Sequence, residues 1–337
     1  MEKRLSGLPV AYITGVKEFY GRTFFVTQDV LIPKPDTELL VEKAVEYAKA
    51  ALGAVAGASS EAEQSRLCAG VSFGAGHQFR FADICTGSGC IAISVLAELF
   101  AELVGHCGLA ETSGQGGPAG DAFERVLADA TDISAAALAV ARKNAETLLG
   151  REGASSLQFY EGDLCAPLMA CGGASGCGSN GAHCCGVSGV SEGGAPDSEP
   201  IAKYDMVLSN PPYVPAAVTD ELLKDGRGEP RLALDGDTDS AIRGESALGG
   251  NVRASDGARC DSPDGDASCE KTSDGLAIIR RLIPQVKKIL LPGGVFFMET
   301  GEYNAEKAAE YLSKCGFTDI VIHRDLAGQL RLVESHI

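Results

Sequence analysis

The sequence predicts a doubly wound α/β sheet, and three observations carry that expectation. Short apolar runs of strand character alternate with segments of helical apolar spacing along most of the chain. One strand, Phe79-Arg80-Phe81-Ala82-Asp83-Ile84, runs into the Gly-rich turn Cys85-Thr86-Gly87-Ser88-Gly89-Cys90 and then into a helix carrying Ile91, Ile93, Val95, Leu96 and Leu99. Another apolar run, Tyr204 to Leu208, stops at Ser209-Asn210-Pro211-Pro212-Tyr213. Proline donates no backbone hydrogen bond and fixes φ, so the chain leaves the sheet there in a rigid turn. The C-terminal ends of strands are where open α/β sheets bind ligands.

The chain begins with alternating apolar and polar residues over 8–32. Pro9-Val10-Ala11-Tyr12-Ile13 and Phe24-Phe25-Val26 read as the strands of a hairpin turned at Tyr20-Gly21. Pro33 and Pro35 end it, and Asp36 or Thr37 can cap a helix from Glu38 to about Leu52. After the Gly-rich turn and its helix, Arg125-Val126-Leu127-Ala128 is a strand, with Asp132 just past its end. A helix from Ser134 to Leu149 follows and Gly150 closes it. Leu157-Gln158-Phe159-Tyr160 is the next strand and delivers Glu161-Gly162-Asp163-Leu164. Beyond the proline turn, Leu276–Leu290 is an amphipathic helix, Leu291-Pro292-Gly293-Gly294 a stop and turn, and Val295–Glu299 a strand. A helix over 303–314 and strands over 319–323 and 330–334 complete the chain. Outside the hairpin this makes seven strands.

Stretches near 53–78, 105–124, 169–200 and 236–273 break the period with Gly, Ala, Ser and Asp. They read as low-complexity inserts between elements, where added length is thermodynamically cheap. The domain reading is an N-terminal hairpin segment, 1–35, and a main domain, 36–337.

A length of 337 residues and 45% hydrophobic content suffice for a sizeable core. No apolar run approaches the ~20 residues that span a bilayer. The start, Met1 to Gly7, lacks a signal-peptide apolar region, so a soluble cytoplasmic protein is expected. The formal net charge of −17 argues against a broad nucleic-acid face. Of 12 cysteines, most are expected to be reduced. Cys171, Cys177, Cys184 and Cys185, with His183, match no paired C-x2-C spacing, so no metal is expected.

The chemistry implied by the proline turn is specific. The Asn210 side-chain carbonyl and the Pro211 backbone carbonyl are two acceptors near one point, suited to an NH2 group. Tyr213 adds a flat wall. A turn that only ends a strand is the plain alternative. Gly87, Gly89 and Ala92 satisfy G-x-G-x-x-[G/A], which does not separate a nicotinamide cofactor from S-adenosylmethionine. Asp132 either accepts both ribose hydroxyls or caps the following helix, a role Ser134 can take instead. Asp163 and Leu164 either meet an adenine or form an ordinary acidic turn.

Taken together, these stretches resemble the HemK/PrmC family. Its members are S-adenosylmethionine-dependent methyltransferases of the glutamine amide nitrogen (N5) in the Gly-Gly-Gln motif of peptide-chain release factors. The resemblance rests on Ala11-Tyr12-Ile13-Thr14-Gly15 with Glu18-Phe19-Tyr20-Gly21, on Leu31-Ile32-Pro33-Lys34-Pro35-Asp36-Thr37-Glu38, on Asp83 through Ile91, on Asn210 through Tyr213, and on Glu229-Pro230 with Ala233-Leu234. That last stretch resumes at Asp274-Gly275-Leu276, as if 236–273 had been spliced into it.

The resemblance implies a seven-stranded class I (Rossmann-like) methyltransferase sheet with an N-terminal β-hairpin. It implies that Cys85, Thr86, Gly87, Ser88 and Gly89 hold the methionine part of S-adenosylmethionine, Asp132 the ribose, and Asp163 with Leu164 the adenine. Asn210 would touch the cofactor as well. Asn210, Pro211, Pro212 and Tyr213 would form the catalytic, substrate-binding motif. The partner would be the Gly-Gly-Gln domain of a release factor. Three departures stand out. Family members carry a helical domain of several dozen residues before the hairpin, and it helps dock the release factor. Cys85 stands where many members have Gly. The inserts are unusual. The alternatives are a ribosomal-protein glutamine methyltransferase, a nucleic-acid amino (adenine N6) methyltransferase, a dinucleotide oxidoreductase and a cofactor-binding protein without activity.

Overall fold

The computed structural model describes residues 7–56, 77–106, 125–170, 204–224, 226, 228–237 and 273–337. The predicted inserts lie almost wholly outside the described residues, as do Cys171, Cys177, His183, Cys184 and Cys185. Among the described residues, no group of His, Cys, Asp and Glu is placed to hold a metal ion. No helix among them is long and apolar enough to cross a membrane.

The main sheet comprises β3 (Phe79–Ile84), β4 (Val126–Asp132), β5 (Leu157–Glu161), β6 (Tyr204–Ser209), β7 (Leu290–Glu299), β8 (Thr318–Arg324) and β9 (Leu330–His336). Their order is β5-β4-β3-β6-β7-β9-β8. Strands β3 to β7 are parallel, and β9 runs antiparallel between β7 and β8. This is the seven-stranded Rossmann-like arrangement. The chain reverses its winding between β3 and β6, which opens a crevice above their C-terminal ends. Their register pairs Ile84 with Ser209, so Cys85 and Asn210 leave the sheet side by side. The Ser209 hydroxyl donates to the Ile84 carbonyl at 2.7 Å and fixes that meeting point.

Apolar side chains on the two faces explain the layers. Helices α2 (Glu38–Ala56), α3 (Cys90–His106) and α4 (Ala135–Ser155) cover one face, burying Leu40, Tyr47, Ile93, Leu96 and Ala145 with Phe81 and Phe297. On the other face lie α5 (Ala166–Ala170), α7 (Ala277–Ile289) and α8 (Ala305–Lys314), which bury Leu168, Leu282, Ile283 and Leu312 against Ile84, Val207 and Phe296. Helix α6 (Ala216–Leu223) follows the proline turn.

Several boundaries differ from the sequence expectation. Pro9–Ile13 is no strand: Val10–Thr14 is a single-turn helix, α1, closed by Gly15 at φ +77°. None of its residues is buried, so its alternation reports no sheet face. The Thr14 hydroxyl bonds back to the Val10 carbonyl at 3.1 Å, a local bond that competes with extension. The hairpin is instead β1 (Val16–Phe19) and β2 (Arg22–Phe25). Asp132 is the last residue of β4 rather than beyond it. Within α4, Gly150 at φ +69° leaves the helical region and ends the first helical stretch where the sequence predicts, and a short second stretch runs on to Ser155. The 291–294 turn is absorbed into β7, whose register shifts between Tyr204 and Met206. There Gly293 N–H donates to the Ile337 carbonyl at 2.8 Å, so the loop's polar groups join the sheet. The helices α5 and α6 and the 3-10 turns Pro35–Thr37 and Arg231–Ala233 had no clear signal in the sequence.

The edges of the fourth insert meet in space. Asp237 Oδ2 accepts the Ser273 hydroxyl at 2.9 Å, and its Oδ1 accepts Gly275 N–H at 2.8 Å. A Cβ on Gly236 would lie 2.1 Å from the Gly275 carbonyl oxygen, and one on Gly275 2.1 Å from that of Tyr213. Only glycine allows both segments to press against the proline turn.

Candidate active site

A cleft of about 270 Å³ lies over the C-terminal ends of the central strands. Its floor is the turn Cys85-Thr86-Gly87-Ser88 with Asn210 and Pro212, and its far end is Asp132, Ile133, Asp163 and Leu164. One wall is the segment after the hairpin, including Val30, Lys34 and Thr37. The opposite wall is Pro230, Leu232 and Ala233 with Ile278 and Arg281 of α7. Stretches far apart in sequence thus enclose one volume.

The floor turn is built from backbone geometry. Gly87 lies at φ +55° with open space where a Cβ would be, so its requirement is conformational. Gly89, at φ +79°, does not line the cleft. A Cβ there would come within 3.2 Å of Ala141 Cβ, so Gly89 serves the close packing of α3 on α4. Cys85 holds φ +63° without being glycine. Burial keeps its thiol neutral, well above the usual thiol range, and its side chain packs with the core of the second face.

Asp132 anchors the turn from β4. Its Oδ2 accepts Gly87 N–H and its Oδ1 accepts Ser134 N–H, each at 2.9 Å. Ser134 caps α4 through its own hydroxyl, accepting from Ala137 N–H at 3.2 Å. Ile133 N–H is a third backbone donor acting on this carboxylate. Burial raises its pKa, opposed by these backbone donors. Asp163 is ion-paired with Arg281, which reaches it from α7. Leu164 is held at φ +51° by its own carbonyl, which accepts the Thr131 hydroxyl at 2.9 Å.

The proline turn divides its labour. Asn210 and Pro212 line the cleft, whereas Pro211 does not and Tyr213 packs with the core of the second face. The Tyr213 phenol donates to Glu299 Oε1 at 3.1 Å, and its carbonyl accepts from Asn304 Nδ2 at 3.0 Å. Burial, then the nearby Glu299 charge, raises the Tyr213 pKa, so the phenol stays protonated.

No protein-family model matches the chain. Curated relatives do. A release factor glutamine methyltransferase of Burkholderia pseudomallei is 30% identical over 328 residues, 96% of this chain and 74% of that protein. The chain belongs to the release factor glutamine methyltransferase family. One relative of the same description, from Bordetella pertussis, is 29% identical over 335 residues, covering 99% of this chain and 80% of its own length. Another, from Coxiella burnetii, is 26% identical over 333 residues, 99% and 76% of the two chains.

In this family member, four cleft features escaped reading as functional side chains. Lys34, which lines the cleft, pairs through Nζ with Glu229 Oε1, joining two stretches that sequence alone marks only as resemblances. Arg281 occupies the end of the cleft near Asp163. Thr37, read as a candidate helix cap, has its hydroxyl bonded by Asn210 Nδ2 at 3.2 Å. Glu299 is 1% exposed beneath the proline turn, and burial pushes its carboxyl up to about 7. The signal available for Glu299 was a lone acid ending an apolar strand, which burial makes costly unless it is partnered.

Proposed function

We propose that the protein transfers a methyl group from S-adenosylmethionine to the side-chain amide nitrogen of the glutamine in the Gly-Gly-Gln motif of a peptide-chain release factor. The observation that supports this most is that Asn210 and Asp132, from strands on either side of β3, open into one cleft. The kinship with release factor glutamine methyltransferases points the same way.

The residues present fit the cofactor. A nucleoside needs a hydroxyl acceptor beside an apolar slot, and Asp132 stands beside Ile133, Ala137 and Leu164. As an acceptor-only carboxylate in the cleft it suits ribose hydroxyls. An adenine amino group at Asp163 shares that carboxylate with Arg281. Cys85 to Ser88 line the cleft and would hold the methionine part. When bound, S-adenosylmethionine supplies a methyl already activated on a sulfonium.

The work left to the chain is therefore orientation. An amide nitrogen is a poor nucleophile because its lone pair is delocalised. Asn210 Oδ1 and the Pro211 carbonyl accept its two hydrogens, aim the lone pair into the cleft and stabilise positive charge growing on nitrogen. Pro211 and Pro212 hold these acceptors rigid, so little reorganisation is needed. A release factor is a protein of the cytoplasm, and this reading places the chain there with it.

The test is transfer of a labelled methyl to purified release factor, with a Gly-Gly-Ala factor as control. Label is expected on the Gly-Gly-Gln factor alone. Asn210→Ala is expected to bind S-adenosylmethionine normally and to lose turnover by roughly 100-fold, the scale of one lost oxyanion-hole group. Equal labelling of the two factors, or near-normal turnover in Asn210→Ala, defeats the proposal.

A further inference from the structure

The turn that follows β5 is held by side chains from two other elements. The Thr131 hydroxyl of β4 donates to the Leu164 carbonyl at 2.9 Å, and Cys165 N–H donates to Gln285 Oε1 at 3.1 Å. Between these two bonds Leu164 keeps a left-handed φ of +51°. Arg281 Nη2 donates to Asp163 Oδ2. Arg281 and Gln285 stand four residues apart on α7 and so share a face. That face grips the turn at both ends, at the Asp163 side chain and at the Cys165 backbone. Ile278, three residues before Arg281, carries the same face into the cleft beside Arg281 and Asp163.

The two grips have different consequences. Gln285 holds backbone, whereas Arg281 holds only a carboxylate. The side chains of Arg281 and Asp163 are 30% and 35% exposed, where an ion pair adds little to stability. Its value lies in direction. With Oδ2 engaged by Arg281, Oδ1 is the oxygen left for a ligand in the cleft. A carboxylate oxygen accepts and does not donate. A purine with an exocyclic amino group meets it as a donor, and a purine with an oxo group in that place opposes acceptor to acceptor. Freed of Arg281, Asp163 can turn away from the oxo group, and it loses side-chain freedom when it meets the amino group. Both changes narrow the gap between the two purines.

We propose that Arg281 is a positioning residue that pins the Asp163 carboxylate and so sets the preference for an amino over an oxo purine in the cofactor. This rests on the S-adenosylmethionine reading above and deepens it at the nucleoside end of the cleft.

The test is calorimetric titration of the full chain with S-adenosylhomocysteine and with its oxo-purine counterpart, S-inosylhomocysteine. The wild type is expected to bind the adenosyl ligand at least about tenfold more tightly, because the oxo group leaves a polar pair unmade. Arg281→Met keeps the apolar stem and removes the donors, and its ratio is expected to fall to about threefold or less. Arg281→Lys keeps a cation without the planar fork, and its ratio is expected between the two. Gln285→Met loosens the backbone of the same turn, so it is expected to weaken both ligands by similar factors and to leave the ratio in place. A ratio that holds or rises in Arg281→Met overturns the proposal, because the guanidinium then acts through its charge or its packing alone. A ratio that falls as far in Gln285→Met overturns it too, since any loosening of the turn would then serve. Equal binding of both ligands by the wild type overturns the proposal and leaves the cofactor reading intact. If the wild type binds neither, the cofactor reading itself fails and this proposal with it.

Discussion

At the scale of single residues, Cys85 shows how a departure in sequence becomes a question of backbone energy. A side chain there need not crowd the cleft to matter. Its φ of +63° is the left-handed region, which costs an L-residue about 1–2 kcal/mol and glycine almost nothing. Packing of the thiol with the core of the second face offsets part of that cost. Cys85→Gly is therefore expected to raise unfolding free energy by about 0.5–1 kcal/mol, measured by denaturant titration. A loss of stability would mean that thiol packing outweighs the strain. The substitution of glycine by cysteine was visible in the sequence, but the left-handed backbone that gives it meaning was not.

At the scale of elements, the two turn glycines have different jobs, although one pattern marks both. Gly87 needs only its backbone conformation, since nothing lies within 4 Å of an added Cβ. Gly89 needs that and space, because Ile93 Cδ1 would lie 2.8 Å away and Ala141 Cβ 3.2 Å away. Gly87→Ala is expected to destabilise by about 1 kcal/mol and Gly89→Ala by about 2–4 kcal/mol, in equilibrium unfolding. Equal losses would show that helix approach is not what Gly89 serves. The same contrast explains what could be read in advance. Strands such as Phe79–Ile84 were legible to the residue, because a mostly apolar run ends sharply at a Gly-rich turn. The exposed α1 was misread as a strand, since surface alternation carries no information about a core. The proline turn and Asp132 were legible as local signals. Arg281, Glu299 and the bond from Asn210 to Thr37 were not, because long-range packing of α7, β7 and the hairpin's exit brings them in.

At the scale of the whole molecule, the fold accommodates the fourth insert because its insertion point closes on itself. The resumption of the Ala233-Leu234 stretch at Asp274-Gly275-Leu276 was legible only through the family resemblance, with composition marking the insert between. The structure supplies the reason it works. Asp237 gathers Ala216 N–H, the Ser273 hydroxyl and Gly275 N–H, so departing and returning strands are tied at one carboxylate. Val214 N–H donates to the Leu234 carbonyl and Gly236 N–H to the Val214 carbonyl, both at 2.9 Å, binding the same point to the proline turn. Closure at this point does not depend on the length between. Replacing residues 238–272 with a short Gly-Ser link should leave the fold and the cleft intact. A shorter loop has less closure entropy to lose, worth about 1–2 kcal/mol for such a reduction. Unfolding free energy is thus expected to hold or rise, with methyl transfer to the release factor retained. If the shortened protein folds with full stability but no longer labels the factor, residues 238–272 take part in recognition. If it does not fold, the tie at Asp237 is insufficient to close the chain. Asp237→Ala in the intact protein separates that second case, because it should cost stability whenever this carboxylate is what holds the two segments to the proline turn.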